Sequence, residues 1–485
     1  MNFSGVERKL LAALLLALLT AAVSAEQSSV KKKHPAVHKA PEARQKSGTH
    51  TRGAKGEAHS KTRLSAKTAK MTAARRAELQ QEIATRLKEP ESRALSNEAA
   101  LDGFFAQLAS QEAARQNGEA ATNTIRALQW GDSHTAADMF TGEARRVFQE
   151  KFGNGGIGYA YAGRPFLGYR ILGSRQSQST GWKTSGTHFT QLGEGILGMG
   201  GISISTERPG EWVRLEASCT ALDLQFLKQP GGGSIQFTDN GGEPVTIATA
   251  ADELGAGTFH YSCPAGEHRF EVTTMDHAPV TLLGWVARQP GVTWESIGIN
   301  GAEAPLILRW NQPLYAAYLK DNSPALVVLA YGTNEAASHA WDEESYRQTF
   351  ARLIDTIHDY VPEASILVLG PSDRATRQHR TWQEYSGTDR IIRAQKAACK
   401  AHGCAYWNQF ERMGGAGSML DWAAIGWAQG DHTHFTGEGY RALADAMMAD
   451  LMNGFEEYKK RQLPARQSPA EADQGEIHGS GSSHP

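Results

Sequence analysis

The sequence predicts an α/β fold: a parallel sheet covered on both faces in three layers, interrupted by an inserted all-β sandwich or jelly roll. Three observations carry that expectation. Strand-like apolar runs alternate with helical periodicities up to about residue 165 and again after about residue 289. Between them, residues 166–288 alternate apolar and polar side chains in short segments, separated by turns such as Pro230-Gly-Gly-Gly and Asp239-Asn-Gly-Gly. Finally, 485 residues are too many for one ordinary domain. Hydrophobic residues at 40 % and charged residues at 21 % suffice for a core and exclude collagen-like, coiled-coil and wholly disordered chains.

In chain order, Arg8-Lys9 precede the apolar run Leu10–Leu19, and Val23-Ser24-Ala25 supplies small residues. Residues 1–25 therefore read as a secretory signal peptide, and the apolar stretch is short of the ~20 residues a bilayer span needs. Residues 26–76 hold nine Lys and five Arg against three Glu, a charge of +11, without apolar periodicity. This segment is expected to be a disordered basic linker, either a tether to an anionic envelope or simply a solvated spacer. The leader adds +1 and the whole chain carries −2, so residues 77–485 carry −14. An acidic body of that kind does not bind nucleic acid.

The periodicity of Leu79, Ile83 and Leu87, then of Phe104 and Leu108, predicts helices up to Gln116. Thr124–Trp130 reads as a strand and the stretch to Phe152 as a helix; residues 77–165 form the first part of the α/β domain. In the insert, strands are expected at Gly201–Thr206, Glu211–Ala217, Leu222–Leu227, Ser234–Thr238 and Arg269–Thr274. Residues 289–462 complete the α/β domain. Its expected strands are Thr293–Ile299, Ala325–Tyr331, Ser365–Leu369 and Ala405–Trp407, and its expected helices Pro305–Lys320, Asp342–Tyr360, Thr388–Lys400 and Gly437–Lys459. Residues 463–485 read as a disordered tail. Four cysteines in an exported chain suggest disulfides, and 219–263 with 399–404 keeps each pair inside one structural unit.

Four short motifs fall where the loops at the C-terminal ends of the strands should lie. They are Gly131-Asp132-Ser133, Ile299-Asn300-Gly301-Ala302, Gly332-Thr333-Asn334-Glu335 and, before the last helix, Asp431-His432-Thr433-His434. Ester hydrolysis by a serine needs a nucleophilic hydroxyl, a base, a carboxylate to orient it, and donors for the developing oxyanion. Asp355 and His358 offer a second Asp-x-x-His, but mid-helix, where they read as a solvated face. His432 and His434 with Asp431 could ligate zinc, yet no third ligand at suitable spacing accompanies them.

These motifs resemble the four blocks of the SGNH (GDSL-type) hydrolases, over about Thr124–Gly163 and Thr293–Leu451. The resemblance implies a flavodoxin-like sheet, Ser133 as nucleophile, His434 as base and Asp431 turned back onto it. It further implies an oxyanion hole from the N–H groups of Ser133 and Gly301 and the Asn334 amide, with no cofactor and no metal. His134 departs from the Leu of the signature, and Glu335 stands where many relatives have Asp. The wording of the blocks (Gly131-Asp-Ser-His-Thr-Ala-Ala-Asp, Gly153-Asn-Gly-Gly-Ile-Gly-Tyr, Tyr331-Gly-Thr-Asn-Glu-Ala) is similar to that of periplasmic peptidoglycan O-acetylesterases of Gram-negative bacteria. That likeness implies a periplasmic enzyme removing acetyl from the C6 hydroxyl of N-acetylmuramic acid, with a carbohydrate-binding-module-like insert and O-acetylated peptidoglycan as partner. The alternatives are an esterase or acetyltransferase for another envelope polysaccharide, and a non-catalytic glycan-binding wall protein.

Overall fold

A computed structural model describes residues 71–91, 93–187 and 197–462. The expected leader, the basic segment up to residue 70 and the tail 463–485 lie outside the described residues. Helix α1 (Ala73–Lys88) begins four residues inside the expected linker, because the Thr72 hydroxyl accepts from the Arg75 N–H and caps it. Its buried Leu79, Ile83 and Leu87 follow the predicted spacing. Strand β1 (Leu95–Ser96) and helix α2 (Asp102–Gln116) lead to β2 (Thr124–Gly131), the four-residue helix α3 (Ser133–Ala136) and α4 (Met139–Phe152). The single helix expected up to Phe152 is broken at Asp138. That residue adopts φ +52° and spends its carboxylate on Arg145, Thr141 and the Leu172 N–H.

Nine strands follow: β3 (Gly158–Tyr161), β4 (Ser174–Gln178), β5 (Lys183–Ser185), β6 (Ser203–Thr206), β7 (Trp212–Lys228), β8 (Ser234–Asp239), β9 (Val245–Ala248), β10 (Gly255–Thr274) and β11 (Val280–Arg288). All pair antiparallel in one sheet. Strands β7 and β10 run side by side from Trp212↔Thr273 to Lys228↔Gly255. One half of β7 is flanked by β4, the other by β11, which also carries β3 and β6. The two strands expected at Glu211–Ala217 and Leu222–Leu227 are thus one. The alternation slips at Thr220-Ala221 because β10 bulges there, between Ser262 and Gly266, and re-aims the side chains. The sheet also begins before residue 166, at β3.

After only Gln289-Pro290 the chain enters β12 (Gly291–Gly298). A 3₁₀ turn (Ala304–Arg309) and α5 (Gln312–Asn322) replace the single helix expected at Pro305–Lys320. The break comes where Asn311 accepts from the Leu314 N–H and starts a new helix. Next come β13 (Leu326–Ala330), α6 (Thr333–Ala337), α7 (Glu343–Tyr360) and β14 (Ser365–Leu369). They are followed by the hairpin β15 (Ala375–Gln378) and β16 (Thr381–Glu384), then α8 (Thr388–His402), β17 (Ala405–Trp407), α9 (Gln409–Met413), α10 (Ser418–Ile425) and α11 (Gly437–Gln462).

The second sheet has the order β1-β17-β14-β13-β2-β12, parallel except for the edge strand β1. Its five parallel strands, numbered as the chain visits them, stand 2-1-3-4-5, the flavodoxin-like order. Alternate residues feed opposite cores, as strand geometry requires. Leu326 and Val328 pack with α2, α4 and α11, through Phe104, Phe148 and Leu451. Val327 and Leu329 pack with α5, α7 and α8 and share one continuous core with the antiparallel sheet, including Leu224, Trp285 and Phe270.

Cys399 and Cys404 are bonded between α8 and β17. The other expected pair, Cys219 and Cys263, is a pair of free thiols with sulfurs 3.8 Å apart at the β10 bulge.

Candidate active site

In a sheet of order 2-1-3-4-5 the chain reverses direction between its first and third strands, and ligands bind in the crevice that opens there. Those strands are β2 and β13, and Ser133 and Asn334 follow them directly. Gly131 ends β2 against the backbone of β13: a Cβ there would stand 2.8 Å from the Ala330 carbonyl and 2.1 Å from Thr135 Oγ1. Only glycine lets α3 start so close to the sheet. Asp132 caps α3 by accepting from the His134 N–H at 2.9 Å. Ser133 opens the helix, so its own N–H has no intrahelical partner. Helix α3 is fixed from beneath, where Gln129 donates to Thr135 Oγ1 and Ser296 Oγ donates to the Thr135 carbonyl.

The loop before α11 brings His434 to Ser133. Ser133 Oγ lies 2.8 Å from His434 Nε2, and His434 Nδ1 lies 2.7 Å from Asp431 Oδ2. Asp431 Oδ1 also accepts from the N–H groups of Thr433 and His434. Partial burial pushes the Asp431 carboxyl up, but the His434 ring and these backbone donors outweigh it and hold it below the ordinary value. The arrangement keeps a carboxylate on Nδ1 and leaves Nε2 facing the serine. The second Asp-x-x-His is used elsewhere: Asp355 pairs with His402, and His358 meets the His402 carbonyl.

Asn334 bonds to the residue before Ser133 and to the residue after Gly301. Gly301 turns at φ +76°, a conformation that favours glycine. The Asn334 amide donates to the Ala302 carbonyl at 2.9 Å and to Asp132 Oδ2 at 3.3 Å. Both of its hydrogens are thus engaged, the bond to Asp132 being the longer. Burial pushes Asp132 up to about 6, against the His134 N–H that favours its charge.

His134 departs from a leucine in form and partly in behaviour. Its Nδ1 meets the Tyr440 hydroxyl at 3.1 Å, and its ring centroid lies 5.1 Å from that of His434. Burial, reinforced by His434, pushes it down to about 3, so it packs against His434 as a neutral ring. Glu335 is fully buried; its Oε1 accepts from the Ala304 N–H and the Tyr346 hydroxyl, and its Oε2 meets no donor. Burial pushes Glu335 up to about 8. It therefore pins the loop after Gly301 to the helix that carries Asn334. Trp130, Tyr159, Tyr331 and Trp422 are all packing residues, buried within the two cores.

Residues 271–442 match the model of the GDSL-like lipase/acylhydrolase family. A solved peptidoglycan O-acetylesterase is similar at 25 % identity and TM-score 0.64, over 76 % of this chain and 99 % of that one. In fold and motif blocks the chain resembles the SGNH-type hydrolases. The family match takes in Gly301, Asn334, Asp431 and His434 but starts after Ser133, because the antiparallel sheet separates the Ser133 block from the rest. A family two carbohydrate esterase from Cellvibrio japonicus is matched more remotely, at 13 % identity and TM-score 0.24 over 58 % of this chain and 98 % of that one. No curated protein sequence matches. The hydrolase thus has its sheet and its resemblance to a peptidoglycan O-acetylesterase as the sequence led us to expect.

One feature of the cleft escaped sequence reasoning. The hairpin β15–β16 stands beside the site, with Trp382 stacked on His432 at a centroid distance of 4.0 Å. Its strands are four residues each, too short for alternation to register. The available signal was the run Arg374, Arg377, His379 and Arg380 in an otherwise acidic body.

Proposed function

We propose that this hydrolase is a serine esterase that removes O-acetyl groups from the C6 hydroxyl of N-acetylmuramic acid in peptidoglycan. The observation that carries the reading is the unbroken contact chain Ser133 Oγ–His434–Asp431, at 2.8 and 2.7 Å, beside Asn334. The likeness to a peptidoglycan O-acetylesterase over 99 % of that enzyme supports the substrate class. Catalysis runs in two steps. His434 takes the Ser133 proton as Oγ attacks the acetyl carbonyl. The oxyanion is met by the N–H groups of Ser133 and Gly301 and by the Asn334 amide, released from Asp132. The proton returns from His434 to the departing sugar oxygen, leaving acetyl-Ser133. Water, deprotonated by the same His434, then frees acetate and restores the serine.

The secretory leader and basic segment fit a periplasmic enzyme held near an anionic wall. Freeing the C6 hydroxyl would let lytic transglycosylases close their 1,6-anhydro product and so permit wall turnover. The test is acetate release from purified O-acetylated peptidoglycan by the wild type and by Ser133→Ala. Release by the wild type and its loss in the variant are the expected outcome. Ser133-dependent cleavage of a small acetate ester without release from peptidoglycan would discard the substrate and keep the mechanism.

A further inference from the structure

The hairpin β15–β16 is rooted in both halves of the cleft. At its base Arg374 donates to the Thr333 carbonyl, next to Asn334, and the Ala375 N–H donates to the His432 carbonyl, between Asp431 and His434. It is thus a wall of the crevice, tied both to the oxyanion side and to the base. Across the hairpin Arg377 stands directly opposite Trp382, so the two side chains share one face. Trp382 fixes which face that is, because its ring stacks on His432 at 4.0 Å with only 19° between the planes. Arg377 therefore stands on the face turned to the catalytic loop.

The connecting residues are His379 and Arg380, with φ +46° and +72°. Positive φ at both central positions is the type I′ geometry, which ordinarily takes Asn-Gly. Here two bulky cationic or cationisable side chains occupy it, and such strained positions concentrate at ligand clamps. Arg377, His379 and Arg380 are all exposed, and none has a carboxylate partner among the described residues. The half-buried Arg347 on α7 and the exposed Arg393 on α8 are each paired with a glutamate. Glu384 at the foot of β16 and the buried Asp373 are the opposing charges near the hairpin, and neither is opposite its tip. In a body that carries −14 over residues 77–485, this is a local concentration of unspent positive charge one loop from the nucleophile.

We propose that Arg377 and Arg380 form an anion subsite that holds a carboxylate of the glycan strand while its acetyl group sits at Ser133. The inference rests on the peptidoglycan reading and sharpens it: the enzyme would select acetylated sugars that carry a carboxylate nearby. In peptidoglycan that carboxylate belongs either to the peptide stem or, on stem-free sugars, to the lactyl ether. A guanidinium matches either through paired N–H···O bonds.

Binding separates this inference from the catalytic one. The Ser133→Ala protein is titrated with soluble glycan strands bearing stems and with the same strands stripped of them. It is then compared with Ser133→Ala/Arg377→Glu/Arg380→Glu and with the corresponding double Lys variant. Charge reversal should weaken binding by about tenfold or more and abolish its salt dependence, while the Lys variant keeps most of both. Weakening confined to stem-bearing strands assigns the stem carboxylates, weakening confined to stripped strands assigns the lactyl carboxylate, and weakening on both shows that the subsite takes either. In the active background, the ratio of kcat/KM on acetylated strands to that on a small neutral acetate ester should fall by a similar factor, mainly through KM. Equal binding by reversed and unreversed proteins, or no measurable binding of either strand, overturns the subsite. Failure of the wild type to release acetate from strands that it binds overturns the catalytic reading alone.

Discussion

In the proposed mechanism Asn334 gives up a bond to work. Its amide rests on Asp132 and the Ala302 carbonyl, so part of what it offers an oxyanion is spent breaking the 3.3 Å contact. Asn334→Ala should still lower kcat by ~10²–10³, the usual loss for one oxyanion donor; steady-state kinetics on a small acetate ester measures it, and a loss under about tenfold removes Asn334 from the hole. Glu335 makes a different prediction. Its folded value of about 8 lies above that of an ordinary glutamate, so between about pH 4.5 and 8 the folded protein holds a proton that the unfolded chain has released. Stability must therefore fall as pH rises through that window, by up to ~1.4 kcal/mol per pH unit. Glu335→Gln should flatten this slope, so thermal melts at pH 6 and pH 9 should differ less in the variant than in the wild type. The sequence marked Ser133, Asn334, Asp431 and His434 because each sits just beyond a strand or before a helix whose pattern is plain. It could not show that Glu335 would be wholly buried with one oxygen unpartnered, since that depends on the Ala304 loop folding over it.

At the scale of elements, Asp450 shows how a helix holds the site without touching it. It sits on the inner face of α11 and accepts from the Trp407 indole, the Arg412 Nε and the Glu91 N–H, drawing together β17, α9 and the segment after α1. Arg412 is only 1 % exposed, so Asp450→Ala would strand a buried guanidinium. Denaturant unfolding should show a loss of about 3–5 kcal/mol. Long amphipathic elements such as α7 and α11, and apolar strands such as β14, were legible because burial repeats along them. Breaks were not. The stop at Asp138, the new start at Asn311 and the fusion of two expected strands into β7 each follow from the bonds of one side chain or from one bulge. Tertiary contacts of that kind override periodicity.

At the scale of the whole molecule, the antiparallel sheet is less separate than the sequence suggests. Trp130 on β2 donates to the Met199 carbonyl, and the Tyr318 hydroxyl on α5 donates to the Phe226 carbonyl of β7 and accepts from the Gly257 N–H of β10. Together with the shared core, these contacts predict one cooperative transition in calorimetry, with equal calorimetric and van't Hoff enthalpies. Two resolved transitions would show that the insert unfolds by itself. The composition shift at about residue 166 announced a change of strand pattern, which is real, but composition says nothing about whose core a strand joins.

The two-residue passage from β11 into β12 has a consequence for descent. A module joined by slack linkers can be lost, duplicated or traded between lineages with little disturbance to its host. Here the last strand of the antiparallel sheet is spliced almost directly to a structural strand of the parallel one, and side chains of the two sheets share one core. Substitutions on either side of the seam must then be answered on the other. Chimeras that carry a relative's insert should fail to fold unless the facing residues of α5, β2 and β12 travel with it.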